Sequence, residues 1–429
     1  MKLKGEIGAL GDDGSGDGGE VGGGGAKKRH RNISAGLGHR GFVTPEALEF
    51  ISISPNLMSC SGHIKVIDGK VYFRYGGFWN RYYRLGRFLQ TVKMLQDAVT
   101  QYRLSSLRLE FFLNTCDHPM SFHSSHWPNR GGLPFMSTGF TADTIDIPVP
   151  DPLDLTGPYT PDLSTQIPWE KKESRAVFRG KTTNYELLPA GNWGANPRIR
   201  LHLMSPAAPH LMDARINAWS KVEQPVVKRI VKDGVQLARK MNFQQFNAFK
   251  YQIVADGGGG SCRTCGVLRS NQLIIRQHTP MLQFYEPLLQ DRVHWLATSR
   301  TFSDLHEAII WAQQHDKAVL KMVEAANRFA DHACTWHGRM LYWALLLVKY
   351  QDVMAEPEKV SRPAQLCSKP IVAATGVEKD PASVTCSDPD REKKQPECAF
   401  FCAGGIMSPD TFEWLPAESL DKLERVGPK

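Results

Sequence analysis

The stretch that most limits how this chain can fold runs from Lys250 to Arg263. A short apolar strand, Tyr251 to Ala255, ends at Asp256, and Gly257, Gly258, Gly259 and Gly260 follow before Ser261, Cys262 and Arg263. Residues without a Cβ let a backbone approach a bulky anion closely, and consecutive amides can converge on phosphate oxygens. Ser261 to Ser270 reads as a helix whose first amides add to that field. Arg263 brings a planar, permanently charged fork suited to a diphosphate. A flexible linker followed by a surface arginine has the same composition. The apolar strand before the glycines and a second buried-looking strand after them, Gln272 to Arg276, favour a phosphate-binding loop. It is not the P-loop of nucleotide triphosphatases, because no Gly-Lys-Ser/Thr follows.

At 429 residues the chain has room for about two domains, and 41% apolar residues suffice for their cores. The net charge is +8, from 52 basic and 44 acidic residues. That excess suits one anionic ligand and not a nucleic-acid groove, which would show basic residues clustered along one face. The longest basic cluster, Lys27 to Arg31, lies in a Gly-rich tail. Residues 1–40 hold no apolar core of a secretory signal. The longest apolar run, Tyr342 to Val348, falls well short of the ~20 residues that cross a bilayer. The nine cysteines are odd in number and irregularly spaced, so no disulfide framework can be read from them.

Taken in order, residues 1–40 form a disordered Gly-rich tail by composition. Ile64 to Phe73 alternates around an Asp-Gly pair, which predicts a hairpin. Arg81 to Arg103 reads as an amphipathic helix with Leu85, Phe88, Leu89, Val92, Leu95 and Val99 on one face. Leu107 to Leu113 then predicts a buried strand that delivers Asn114-Thr-Cys-Asp117-His-Pro119 at its carboxyl end, where ligands sit in α/β sheets. Residues 133–168 are rich in Pro and Asp and read as an extended connector. A second α/β run begins at the strand Arg175 to Phe178, and helices are expected from Ser303, over Lys317 to Ala330 and over Arg339 to Asp352. The expected division is a tail (1–40), a first α/β segment (41–165), a second α/β segment (166–338), a C-terminal helix (339–354), and a mostly disordered tail (355–429). The fold class is α/β.

Several segments, in order and spacing, resemble one family. They are Ile167-Pro-Trp-Glu-Lys-Lys172, Ala176-Val-Phe-Arg-Gly180, Asp213-Ala-…-Trp219, Phe249 to Gly257 with Ser261 and Arg263, Leu282-Gln-Phe-Tyr-Glu-Pro-Leu288, and Val293-His-Trp295. Upstream, Asn114-x-x-Asp117-x-Pro119 completes the set. Together they resemble the CAP10-like glycosyltransferases, which include protein O-glucosyltransferases acting on EGF-like repeats and fungal capsule xylosyltransferases. The resemblance implies a GT-B architecture, two Rossmann-like domains with a cleft between them: an N-terminal, base-carrying domain (41–165) and a C-terminal, nucleotide-sugar-binding domain (166–338), with the last helix (339–354) packing back on the first. It further implies a UDP-sugar donor, inversion at the anomeric carbon, no required metal, and Asp117 as catalytic base. It also implies the lumen of the ER or Golgi, although no signal peptide or retention tetrapeptide is visible here and the chain ends Val426-Gly-Pro-Lys429. Lys181 stands where many relatives have Ser or Thr followed by Arg, so the acceptor is less well defined than the donor chemistry.

Glycosyl transfer needs a base for the acceptor hydroxyl, positive charge for the leaving diphosphate, and the two partners held in line. Asp117 is the candidate base; an Asx-type turn cap is the plainer reading of the same residue. Arg179 and Arg263 are the candidates for the diphosphate, with Gly180, Gly259 and Gly260 giving close approach and Thr182, Thr183 and Ser261 donating hydroxyls. Each arginine taken alone reads more readily as a surface salt bridge, but both follow strand–loop transitions with small residues around them. Asp256 binds a ribose or fixes its own turn. Phe284 packs near the nucleotide or in the core, and Trp219 is read as core. The donor is UDP-glucose or UDP-xylose and the acceptor a protein Ser/Thr or glycan hydroxyl, with the chain monomeric and without nucleic acid or membrane span. The competing readings are an inactive UDP-sugar-binding protein and a metal-dependent hydrolase built on His118, His123 and His126, whose spacing matches no zinc pattern. The one Asp-x-Asp triplet, Asp388-Pro-Asp390, falls in the expected tail, so arginines are expected to replace a divalent cation. Cys262-x-x-Cys265 lacks the context of a redox motif.

Overall fold

The Asp-Gly pair turns the first hairpin. In the computed structural model Asp68 and Gly69 both have positive φ, 51° and 77°, as a two-residue turn matched to strand twist requires. The strands on either side are β1 (Ser61–Ile67) and β2 (Lys70–Tyr75). The structure describes residues 61–75, 82–117, 119, 135–142, 144–156, 166–183, 193–220, 222, 224–354, 357–362 and 415–417. The three histidines of the metal reading and Asp388-Pro-Asp390 lie outside them.

Helix α1 (Tyr82–Gln101) packs on the hairpin through Phe88, Val92, Leu95 and Val99, the stripe its periodicity predicts. Gln96 ties it to the turn, accepting from Val71 N at 2.8 Å and donating to Gly69 O at 3.2 Å. Strand β3 (Arg108–Asn114) pairs antiparallel with β1 and parallel with β4 (Met136–Ser137). β4 is followed by β5 (Phe140–Thr141) and β6 (Ile147–Pro148), and the first sheet runs β13-β2-β1-β3-β4-β6, with β13 at Leu415–Pro416. The stretch expected to be an extended connector therefore carries two strands of this sheet. Its prolines do not forbid this, because Pro148 closes the short edge strand β6, where a missing N–H costs nothing. A four-residue helix, α2 (Leu153–Thr156), follows.

The second sheet is wholly parallel, in the order β12-β10-β9-β7-β8. Its strands are β7 (Glu173–Lys181), β8 (Met212–Ala218), β9 (Phe249–Val254), β10 (Leu273–Gln277) and β12 (Leu296–Thr298). All five residues of β10 and the last four of β9 are buried, as strands covered on both faces must be. Helix α3 (Pro197–Met204) starts at Asn196, whose side chain accepts from Arg198 N and Ile199 N, with Pro197 at the first helical position. Helices α4 (Gln224–Lys232), α5 (Phe243–Asn247) and α6 (Thr264–Leu268) follow, then α7 (Leu305–Gln314) and α8 (Asp316–Ala333). The helix expected over Ser261 to Ser270 is reduced to the five residues of α6. The helix expected from Ser303 has Asp304 as its N-cap position, without a side-chain cap bond, and the Ser303 and Ser299 hydroxyls pair with each other.

Among the described residues, a short strand and the last long helix are two of the elements that join the sheets. β11 (Met281–Leu282), just after β10, pairs antiparallel with β5. Helix α9 (Trp336–Gln351) buries Met340, Trp343, Leu347 and Tyr350 in the same core as α1 and β1–β3. Cys265 of α6 is disulfide-bonded to Cys334 at the end of α8, so it does not pair within Cys-x-x-Cys. Cys116 is disulfide-bonded as well. Among the described residues no helix is long and apolar enough to cross a membrane.

Lys172, at the head of β7, is buried and donates to Asn247 O at 2.7 Å. Burial pushes its ammonium down to about 7. A lysine whose folded pKa lies below its unfolded value binds fewer protons when folded, so stability rises with pH between those values. Chemical denaturation is expected to show stability climbing from pH 7 to pH 9 by about 1 kcal/mol per pH unit. Lys172→Met should flatten that slope.

Candidate functional site

Asp117 follows the carboxyl end of β3 by three residues, on a turn shaped by its neighbours. Asn114 Oδ1 accepts from Cys116 N at 2.9 Å, and Thr138 N donates to Asn114 O at 3.0 Å. Asn114 thus makes an Asx-type turn of its own at this strand end. The Asp117 side chain is 50% exposed, and its Oδ1 accepts from Arg87 Nη1 at 2.9 Å.

Arg87 is a site residue that the sequence reading passed over. It is buried, and its Nε and Nη2 donate to the two oxygens of Asp151 at 3.1 and 2.5 Å. Nη2 also donates to Thr138 Oγ1 at 3.1 Å. Burial opposes its charge, but Asp151 and Asp117 outweigh that and hold the guanidinium ionised well above its ordinary range. Asp151 O in turn accepts from Nη1 of the fully buried Arg339, whose Nη2 lies 3.2 Å from Cys265 Sγ. The signal was available: Arg87 occupies the buried stripe of α1 with Thr91, Met94 and Ala98, at i+4, i+7 and i+11. A charge in such a stripe demands a partner.

The glycine run meets Asp117 directly. A Cβ on Gly259 would lie 2.3 Å from Asp117 O and 3.0 Å from Asp117 Cβ. No glycine from 257 to 260 has positive φ, so Gly259 serves for space and not for backbone freedom. Gly257 is less tightly confined, with a Cβ there 2.9 Å from Arg198 Nη2. Its N–H donates to Gly259 O at 3.1 Å and so is engaged within the loop.

Arg198, the second residue that sequence reasoning missed, ties the carboxyl ends of β7 and β9 together. It donates to Ala255 O, Asp256 O, Lys181 O and Thr183 Oγ1 at 2.7–3.1 Å. Its place just inside the Asn196-Pro197 helix start points its long side chain back past the helix N-terminus, and that geometry was the clue.

Four of the other expected residues line one of two openings: Arg179, Gly180 and Arg263 the first, Asp256 the second. A pocket of about 370 Å³ is lined by Arg179, Gly180, Lys181, Lys240 and Arg263 over an apolar floor of Met241, Phe243, Phe246 and Val267. Arg179 donates to Asp213 Oδ2 at 2.6 Å and Asp213 O at 2.8 Å. Arg263 donates to Arg179 O at 2.7 Å and lies over the rings of Phe178 and Phe246. A second notch of about 290 Å³ at the carboxyl ends of β9, β10 and β12 includes Asp256, His278, Arg200 and Arg300. Asp256 is engaged at both oxygens, by Arg276 Nη1 at 2.9 Å and by Thr279 Oγ1. Burial pushes Asp256 and Glu286 up, with Arg276 serving both. The turn-fixing reading of Asp256 therefore has bonds to support it.

Thr182 links β7 to the end of β8 through Ser220 O and N, at 2.9 and 2.8 Å. Ser261 is buried and accepts at its carbonyl from Gln283 Nε2 and Thr264 N. Gly260 has Gln283 Cγ at 3.4 Å from a Cβ placed on it. Phe284 lines neither opening; it sits in the core against Tyr285, Tyr342 and the Arg339 guanidinium. Trp219 is partly buried against the small cluster of Ile199, Ile216 and Ile230. Among the described residues no group of three or more His, Cys, Asp or Glu is placed to hold a metal ion.

The close contact at residue 259 makes a sharp expectation. Gly259→Ala forces the loop off Asp117 by about an ångström, and a displacement of that size costs on the order of 10²-fold in transfer rate. Gly260→Ala, which meets only ordinary contacts, should lose far less; paired rate and thermal-midpoint measurements on the two variants check this.

Among curated proteins, the human Protein O-glucosyltransferase 3 is 26% identical over 325 residues, covering 72% of this chain and 58% of its own length. The zebrafish Protein O-glucosyltransferase 2 is 24% identical over 279 residues, covering 61% and 51%. The chain thus spans a little over half the length of these relatives. Among solved structures, one described as "Crystal Structure of TarM" has a TM-score of 0.31 at 12% identity, covering 42% of this chain and 36% of that one. A likeness that slight adds nothing about function. The profile of Glycosyl transferase family 90 matches residues 52–403, and on that match the chain belongs to this family.

Proposed function

We propose that the protein is an inverting, UDP-sugar-dependent O-glycosyltransferase that moves glucose or xylose to a protein Ser/Thr or glycan hydroxyl. The observation that carries the reading is the contact between Asp117 and Gly259: the backbone and Cβ of a residue that bears a half-exposed carboxylate, at the end of the first sheet, lie against the anion-suited loop of the second. A base on one side of a sugar and a diphosphate site on the other is the arrangement that inversion needs.

In this reading the nucleotide occupies the 370 Å³ pocket, with its base on the Phe243, Phe246 and Met241 floor. The diphosphate lies against Arg179, Lys181 and Arg263, and the sugar extends past Gly259 and Gly260 toward Asp117. The acceptor hydroxyl gives its proton to Asp117 as its oxygen bonds to the anomeric carbon, and the bond to the diphosphate breaks on the opposite face. The leaving negative charge is met by cations fixed in advance, so no solvent must reorganise. Four side-chain cations line this pocket, which supports a reaction that needs no divalent metal. A GT-B arrangement of two Rossmann-like domains about a cleft is the architecture that goes with this reading. The disulfides at Cys265 and Cys116 support an oxidising compartment, where a luminal or extracellular acceptor is met.

UDP, UDP-glucose and UDP-xylose should each raise the thermal midpoint, and UDP should be released on addition of acceptor. Asp117→Asn should keep the UDP shift and lose transfer by at least about 10²-fold, the lower bound for removing a general base. Loss of both, or retention of both, would remove Asp117 from the role. A chelator should leave the rate within twofold; a drop restored by Mn²⁺ or Mg²⁺ would count against the metal-free step.

A further inference from the structure

Within the reading that Asp117 is the base, we infer that Arg87 and Asp151 form a charge-balanced clamp that positions Asp117 without weakening it as a base. An exposed carboxylate rotates among several orientations in water, and a base that rotates is rarely aligned with the proton it must take. Arg87 fixes the carboxylate through Oδ1 at 2.9 Å. A lone guanidinium at that distance would also depress the carboxylate by about 1–3 pKa units and make it a poor proton acceptor.

Asp151 prevents that. It takes the same guanidinium by a bidentate fork at 3.1 and 2.5 Å and is itself buried, so Asp117 faces a cation already paired with a second carboxylate. Thr138 takes a further bond from Nη2, so the guanidinium plane cannot swing toward Asp117 alone. Asp151 is anchored through its carbonyl by Arg339 and through Oδ1 by Leu153 N at 3.1 Å. Arg87 and Asp151 do not touch the reacting atoms; they are positioning residues.

The clamp predicts opposite effects from its two halves. Arg87→Met removes the hold and the residual positive field together. kcat should fall on the order of 10²-fold, the UDP-induced thermal shift should persist, and the acid limb of the pH–rate profile should move up by about one unit. Asp151→Asn leaves Arg87 uncompensated against Asp117, and the acid limb should move down. Arg87→Lys keeps a charge but not a fork, so kcat should fall with the limb near its original place. If Arg87→Met does not fold, the downward shift in Asp151→Asn still decides. Variants that lose stability or UDP binding while their acid limbs stay put would show a structural role only and overturn the inference. Asp117→Asn separates the two levels: full activity in that variant sinks the base assignment, whereas its inactivity with unmoved limbs in the others sinks only the clamp.

Discussion

A guanidinium buried in a protein must find anions, because an unpaired charge removed from water costs several kcal/mol. From its position on α1, Arg87 satisfies that demand with groups from three separate places: Asp117 after β3, Thr138 after β4 and Asp151 after β6. The demand reaches further through Asp151, whose carbonyl takes Arg339 from the first turn of α9. Arg339 lies beside Cys265, and the disulfide from Cys265 ties α6 to the end of α8. One buried cation thereby fixes the relation of the first sheet to the loop and helix that follow the glycine run. Breaking such a pair from one side costs about 3–5 kcal/mol, which makes the node hard to lose by drift.

The glycine run is shaped by the same economy of space. Arg198 gathers the ends of β7 and β9 from one side, and Asp117 presses on Gly259 from the other. Between them there is no room for a side chain at 259, and one at 257 would have to displace the Arg198 guanidinium. The loop owes its form to these two neighbours and only slightly to α6, which is a five-residue helix with its Thr264 N–H already given to Ser261 O. The anion-suited character of the region rests on side-chain cations around the pocket more than on a helix terminus.

What the sequence made legible follows from how local each signal is. The first hairpin, α1 and the strands flanking the glycines are set by periodicity and turn chemistry within a dozen residues. Asp117 was legible because a buried strand must deliver its next residues to one end of a sheet. Arg87 was not legible as a site residue, because its partners lie 30 and 64 positions away. The Cys265–Cys334 pairing spans 69 residues and has no local signature. The Pro-rich stretch misled because a two-residue strand needs so few ladder bonds that proline beside it is harmless. Phe284 and Asp256 were open between two roles in the sequence, and packing and carboxylate bonding respectively show what each touches.

The central claim is that a donor sugar lies between the cation-lined pocket and Asp117. A crystal structure with UDP and an acceptor peptide bound tests it most directly. The account predicts the diphosphate within hydrogen-bond reach of Arg263, and the acceptor hydroxyl within about 3.2 Å of an Asp117 carboxylate oxygen. UDP seated instead in the Arg200–Arg300 notch, or an acceptor hydroxyl directed at a different carboxylate, would contradict it.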